Sequence, residues 1–519
     1  MRLRLCTSLP LACLLLLLPG VALAKTYEVG PGKEYATVQD VLPMIAPGDV
    51  VEVQGDHTYP GDLMFREEHG GTKEAPVTVR GIRVNGKRPI IEGVGSEQWH
   101  NFIVQFSANN FVFEGFEIVG DYNPDHWGLI HKADNVTLRD LLVHGVNAQG
   151  LYGTDFGSGS LTLESSEFWG NGEGLYKHQI YMSTDQEMYP GSVFRMQFCY
   201  LHDAAGGNNV STRSERNEFY YNWIEGAEYH EINLIGPDSD TPDLAREDSD
   251  IVGNVLVKRP DSEWRIARIG GAADHDSTAG RYRFVNNTMV LGANSETAIG
   301  MQYEVQTLEM HNNVIVRLGA SGGTLWNHYD QKGAAPLLFG SHNYFQEGMQ
   351  SVPASFTDTI FGTDPGFVDI EGFDFRLAEG SPLLEKGTTT TSTASPDFPS
   401  PLVMPLFVPP SRELGTDGVR IEDASPDLGA FELGSGTVPG DGGTNSGGSG
   451  SGAGNPNGGS GASGASGGGG AGDGGAGNGS DEDEGGGCGV HGSPGAPPEA
   501  PAAGLMLLLG ALLRFRRRR

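Results

Sequence analysis

Along the middle of the chain, apolar residues recur at alternate positions in short runs, and the runs come in pairs. Phe111 and Phe113 precede Phe116 and Ile118, Val136 and Leu138 precede Leu141 and Val143, and Leu161 and Leu163 precede Ser166 and Phe168. Alternation with period two marks half-buried strands, and no stretch of helix length carries an amphipathic pattern. Later copies add an asparagine: Phe219 with Asn222 and Ile224, Ile251 with Asn254 and Leu256, Phe284 with Asn287 and Met289. Met310 with Asn313 and Ile315, then Asn343 with Phe345, continue the series. The marker position falls at 116, 141, 166, 199, 222, 254, 287, 313 and 343, a repeat of 23 to 33 residues. A unit of that size made only of short strands predicts one coil of a parallel β-helix. A leucine-rich repeat would need L-x-x-L-x-L at nearly constant spacing, which is absent. Asparagines in register can then hydrogen-bond along the stack as a ladder, because neighbouring rungs lie ~4.8 Å apart.

Composition confines this pattern to residues 25–432. Many of the 79 glycines crowd between Gly434 and Gly487, a Gly/Ser-rich tract expected to be a disordered linker over 433–487. Its Gly464-Ala465-Ser466-Gly467-Gly468 satisfies G-x-S-x-G, but without a preceding strand or following helix the match is compositional. At the front, Arg2 and Arg4, the apolar run Leu9 to Leu18 and Ala22-Leu23-Ala24 read as a signal peptide over 1–24. A net charge of −32 excludes a generic nucleic-acid binder, which needs clustered Lys and Arg. Four cysteines, two of them in the leader, exclude a disulfide scaffold; Cys199 reads as a core residue in the ladder position.

Both ends of the body resemble known arrangements. Ala36-Thr37-Val38-Gln39, Ala46-Pro47-Gly48-Asp49-Val50-Val51 and Pro76-Val77-Thr78-Val79 open it; Asp364-Pro365-Gly366-Phe367, Asp374-Phe375-Arg376-Leu377 and Asp427-Leu428-Gly429-Ala430-Phe431-Glu432 close it. These segments resemble the caps of the pectate-lyase-like superfamily, and the opening resembles the chondroitinase B and alginate lyase group. The resemblance implies an all-β, single-stranded right-handed parallel β-helix with capped ends. Residues 488–519 combine Cys488, the apolar stretch Ala502 to Leu513 and an arginine cluster ending at Arg519. This order resembles the C-terminal sorting signal of myxobacterial surface proteins and implies attachment to the cell envelope, with display at the outer membrane. A simple membrane tail is the alternative. The chain is expected to be a secreted monomer.

A β-helix has no central cavity, so a ligand must lie along an outer face. Each coil carries a further strand, aligned on Leu151, Ile180, Val210, Ile232, Ala267 and Ile299. On that alignment Tyr152, Tyr181, Ser211, Asn233 and Arg268 follow the apolar position and Gln179, Asn209 and Glu231 precede it, so both sets are expected to point outward. Arg213 joins them, and His178, His230 and Arg265 stand at the strand entrances. Such a polar and aromatic row suits a sugar-binding groove; a merely solvated face is the competing reading. Lys258, Arg259, Arg265, Arg268, Arg281 and Arg283 are close enough in sequence to form a basic patch.

The lyase resemblance implies β-elimination on a uronic-acid polysaccharide. Asn209 and Glu231 would hold Ca²⁺, with Asn233 standing where the group has a second glutamate, and Arg268 would be the catalytic arginine. No lysine follows on the Ile232 coil, which leaves His230 or Tyr181 as candidate base; His178, Gln179, Arg213 and Arg265 would bind substrate. Paired aspartates for glycoside hydrolysis are missing from the row. His230-Glu231 begins H-E-x-x-H, but Leu234 occupies the second His position. The acidic run Asp238, Asp240, Asp243, Glu247, Asp248 and Asp250 lacks the Gly and closing Glu of an EF-hand and reads as a solvated loop. A non-catalytic glycan-binding or adhesion protein and a purely structural surface protein are the other classes.

Overall fold

The computed structural model describes residues 24–435 apart from 97–99, 237–246, 272–278, 329–334, 392–401, 416–417 and 422–423. The leader through residue 23, the linker beyond 435, the C-terminal segment with Cys488, and Asp238, Asp240 and Asp243 therefore lie outside the described residues.

Each coil contributes one strand to each of three long sheets. Among the described residues the first sheet has 13 strands, the second 12 and the third 11, and each adds strands in chain order. Neighbours are parallel throughout, as in Glu218 beside Asp250 on the first sheet, Ile224 beside Leu256 on the second and Ile232 beside Ala267 on the third. This is the parallel β-helix that the period-two runs predict. Inward columns such as Phe113, Leu138, Leu163 and Met196 are fully buried and make one continuous core. At the front, Val38, Val41 and Ile45 cap that core.

The asparagine ladder forms at the turn between the first and second sheets. The Asn222 amide donates to Asn254 Oδ1 (2.9 Å), Asn254 to Asn287 (3.0 Å), Asn287 to Asn313 (3.0 Å) and Asn313 to Asn343 (3.0 Å). Each second amide hydrogen is taken by a backbone carbonyl, for Asn254 that of Phe219. Cys199 occupies the same column, where its N–H donates to Asn222 Oδ1 at 3.0 Å, and burial pushes its thiol up to about 12.

The closing segments lie elsewhere than expected. They do cover apolar surface, but along the outside of the second sheet rather than only over the last coil. Trp223, Val255, Val257, Val290, Val314 and Tyr344 face outward there, and Phe375, Leu377, Leu383, Leu428 and Phe431 bury them. Trp223 stacks on Phe375 with ring centroids 5.5 Å apart, and Arg412 meets Glu225 at 3.0 Å. Removal of these apolar groups from water is the term that favours docking of this strap.

Candidate functional site

The third sheet carries the predicted row, and its register agrees with the alignment. Leu151 pairs with Ile180, Ile180 with Val210, Val210 with Ile232, Ile232 with Ala267 and Ala267 with Ile299. Tyr152, Tyr181, Ser211, Asn233 and Arg268 therefore stand side by side on successive rungs, and Ser183 neighbours Arg213. Two rungs earlier than Tyr181, Trp127 begins the strand Trp127–His131 of the same sheet, and Trp127, Tyr152 and Tyr181 form a ring series with centroids 6.1 and 5.6 Å apart. Trp127 lies outside the aligned column, which on its rung is Leu129 followed by Ile130, so extending the alignment by one coil does not reach it.

Exposure departs from expectation. Tyr152, Arg265 and Arg268 are partly exposed, whereas Tyr181, Ser211, Arg213 and Asn233 are buried. Asn233 donates to Ser211 Oγ (3.0 Å), Arg213 donates to the Gly236 carbonyl (3.3 Å), and Arg268 donates to Gln302 Oε1. Arg265 Nε donates to Asn327 (3.2 Å), and Trp264 stands edge-on to His230 with centroids 5.6 Å apart.

Gln179, Asn209 and Glu231 do not point outward; all three are fully buried. The strands begin at Ile180, Val210 and Ile232, so the residue before each belongs to the corner, where strand alternation has not begun. There they build a second polar ladder. Gln179 donates to Asn209 Oδ1 at 2.6 Å, Asn209 donates to Glu231 Oε2, and Glu231 Oε1 lies 3.2 Å from Lys258 Nζ. Calcium does not fit here, because every neighbour of the carboxylate is already a hydrogen-bond donor, the Ala227 N–H included. Among the described residues there is no cluster of three or more His, Cys, Asp or Glu suited to a metal. Lys258 went unrecognised as a member of this corner, since a lysine just past a strand reads as solvated.

The basic patch is likewise dispersed. Arg281 and Arg283 lie on the first sheet, paired with Asp248 and Asp250, Arg259 meets Glu228 and Asp261, and Lys258 is internal. Arg265 and Arg268 alone of the six belong to the row.

The two histidines are held in opposite tautomers. His178 Nδ1 accepts the Asn208 N–H (3.0 Å), which places its proton on Nε2. His230 Nδ1 faces the Arg265 carbonyl (3.1 Å), which can only accept, so this nitrogen carries the proton and Nε2 keeps a lone pair. Burial, then the nearby Arg268 guanidinium, lowers His178 to about 3; burial, then Arg268 and Lys258, holds His230 well below the usual imidazole range. Both rings are thus neutral near pH 7. Their folded values lie below the unfolded value of 6.5, so their contribution to stability is complete above that pH and is lost as pH falls toward the folded values. Histidine-selective NMR should find neither ring titrating between pH 7 and about 5.

No family model matches the sequence, and no curated protein matches it. Solved structures do. Pectate lyase Pel9A is 15% identical with a TM-score of 0.51, over 80% of this chain and 97% of that one. An alginate lyase from Paenibacillus sp. str. FPU-7 is 14% identical with a TM-score of 0.34, over 60% and 97%. A rhamnogalacturonan lyase is 12% identical with a TM-score of 0.40, over 67% and 92%. The likeness to the pectate lyase establishes the shared parallel β-helix architecture; chemistry must come from the site itself.

Proposed function

We propose that the chain acts on a polysaccharide, and that the row on the third sheet performs β-elimination on a uronic-acid polymer. The observation that carries this reading is the row of four successive rungs that bear Tyr181, Ser211, Asn233 and Arg268, with the His178 ring stacked 6.1 Å from Tyr181, both histidines close enough to feel the Arg268 guanidinium, and their tautomers complementary. Arg268 would pair with the uronate carboxylate and stabilise the charge that develops on it. His230 Nε2 would take the C5 proton as its lone pair permits, the C4–O bond would break, and a C4–C5 double bond would form. The Tyr181 hydroxyl would transfer its proton to the departing oxygen, which leaves as a hydroxyl with His178 Nε2–H hydrogen-bonded to it, and the proton taken by His230 would return to the tyrosinate through solvent. The partly exposed Trp127 and Tyr152 would bind neighbouring sugars.

Secretion and display at the cell surface through the C-terminal segment belong to the same proposal. The burial of Tyr181, Ser211 and Asn233 favours a second reading, glycan binding without cleavage. Incubation with pectate, alginate and glycosaminoglycan polymers, followed by ultraviolet absorbance of unsaturated products, tests the first reading. Growing absorbance is expected. Saturable binding with no product would replace elimination by the adhesin reading.

A further inference from the structure

The ladder at the corner of the second and third sheets ends on a charge. Lys258 and Glu231 are both fully buried, and their contact spans two coils. Lys258 Nζ meets three acceptors: Glu231 Oε1 at 3.2 Å, the Ala227 carbonyl at 2.9 Å and the Tyr229 carbonyl. Three acceptors match the three N–H bonds of an ammonium. Glu231 in turn is surrounded only by donors, namely Lys258, Asn209 and the Ala227 N–H. Burial pushes the carboxyl up and the amine down, while each partner opposes the other's shift. The complete match of donors to acceptors fixes the charged form of both.

We propose that Lys258 is the resident cation of this corner, standing in for the calcium ion that the lyase resemblance implies, and that the chain holds no divalent metal at Asn209 and Glu231. A calcium ion needs 6–8 oxygen ligands at about 2.3–2.6 Å. To enter here it would have to expel the ammonium, because two unscreened like charges in one buried corner repel strongly. Lys258 also ties down the turn from Ala227 to Tyr229, immediately before His230. It is a positioning residue, attached to the site through the backbone. The inference is independent of the elimination reading, since it concerns an ion and a turn and not turnover.

The test uses the full chain, with calcium itself as the probe. Equilibrium dialysis and calorimetric melting in EDTA and in calcium are compared for wild type, Glu231→Gln, Lys258→Ala and the Lys258→Ala/Glu231→Gln double variant. Wild type is expected to melt at the same temperature in EDTA as in low calcium, and any calcium it binds is expected to be unaffected by Glu231→Gln. Lys258→Ala leaves the Glu231 carboxylate and the Ala227 and Tyr229 carbonyls facing a vacated space. In EDTA its melting temperature is expected to fall by roughly 10 °C, because a buried charge loses its partner. Calcium should restore part of that loss, and the double variant should show no such recovery. Stoichiometric calcium binding by wild type that Glu231→Gln abolishes would overturn the inference. So would a Lys258→Ala protein as stable as wild type in EDTA. If Lys258→Ala does not fold, the wild-type and Glu231→Gln measurements still decide.

Discussion

Replacing Arg268 by alanine is expected to slow the formation of unsaturated product by about 10²–10³-fold, the usual cost of removing one group that stabilises developing charge. Its place on the strand Ala267–Ile269 is partly exposed, so truncation opens no core cavity and folding should be retained. Lysine at the same position keeps the charge but loses the planar fork that pairs with a carboxylate, and an intermediate loss is expected. A second readout separates this role from mere packing. Arg268 helps to depress His178 and His230, after the larger effect of burial, so both imidazole values should rise in the alanine variant. NMR of the labelled histidines measures this shift. Unchanged product formation together with unchanged histidine values would remove Arg268 from the site.

The fold was legible because it is written as repetition. Once Asn222, Asn254, Asn287, Asn313 and Asn343 are aligned, a parallel stack is the arrangement that satisfies them, and the third-sheet alignment from Leu151 to Ile299 follows from the same coils. Side-chain direction was less legible. Period-two alternation holds only inside a strand, and Gln179, Asn209 and Glu231 sit one residue outside theirs, at a corner that turns them inward. Lys258 joins them from a neighbouring coil, a contact that no local pattern encodes. The strap shows the same limit. Outward valines on the second sheet, such as Val257 and Val290, announce that something must cover them without saying which segment does.

Replacing Asn254 by leucine is expected to be among the most damaging single changes in the stack, on a par with Asn287 and Asn313, which make the same set of bonds. Its side-chain oxygen accepts both the Asn222 N–H and the Asn222 amide, at 2.9 Å each, while its own amide donates to Phe219 O and Asn287 Oδ1. Leucine has nearly the same size but none of these groups, so four buried partner groups on the two flanking coils lose a hydrogen bond at once. Each buried polar group left unsatisfied costs about 1–3 kcal/mol, and some will find other partners, so a total of about 3–5 kcal/mol is expected. Asn343, at the end of the column, still accepts from the Asn313 N–H and amide and donates to the Met310 carbonyl, but has no further asparagine to donate to, so Asn343→Leu should cost less. Calorimetric melting of the two variants side by side checks the ordering. Equal losses would mean that the column contributes as independent hydrogen bonds to the backbone, and that the side-chain ladder itself adds nothing.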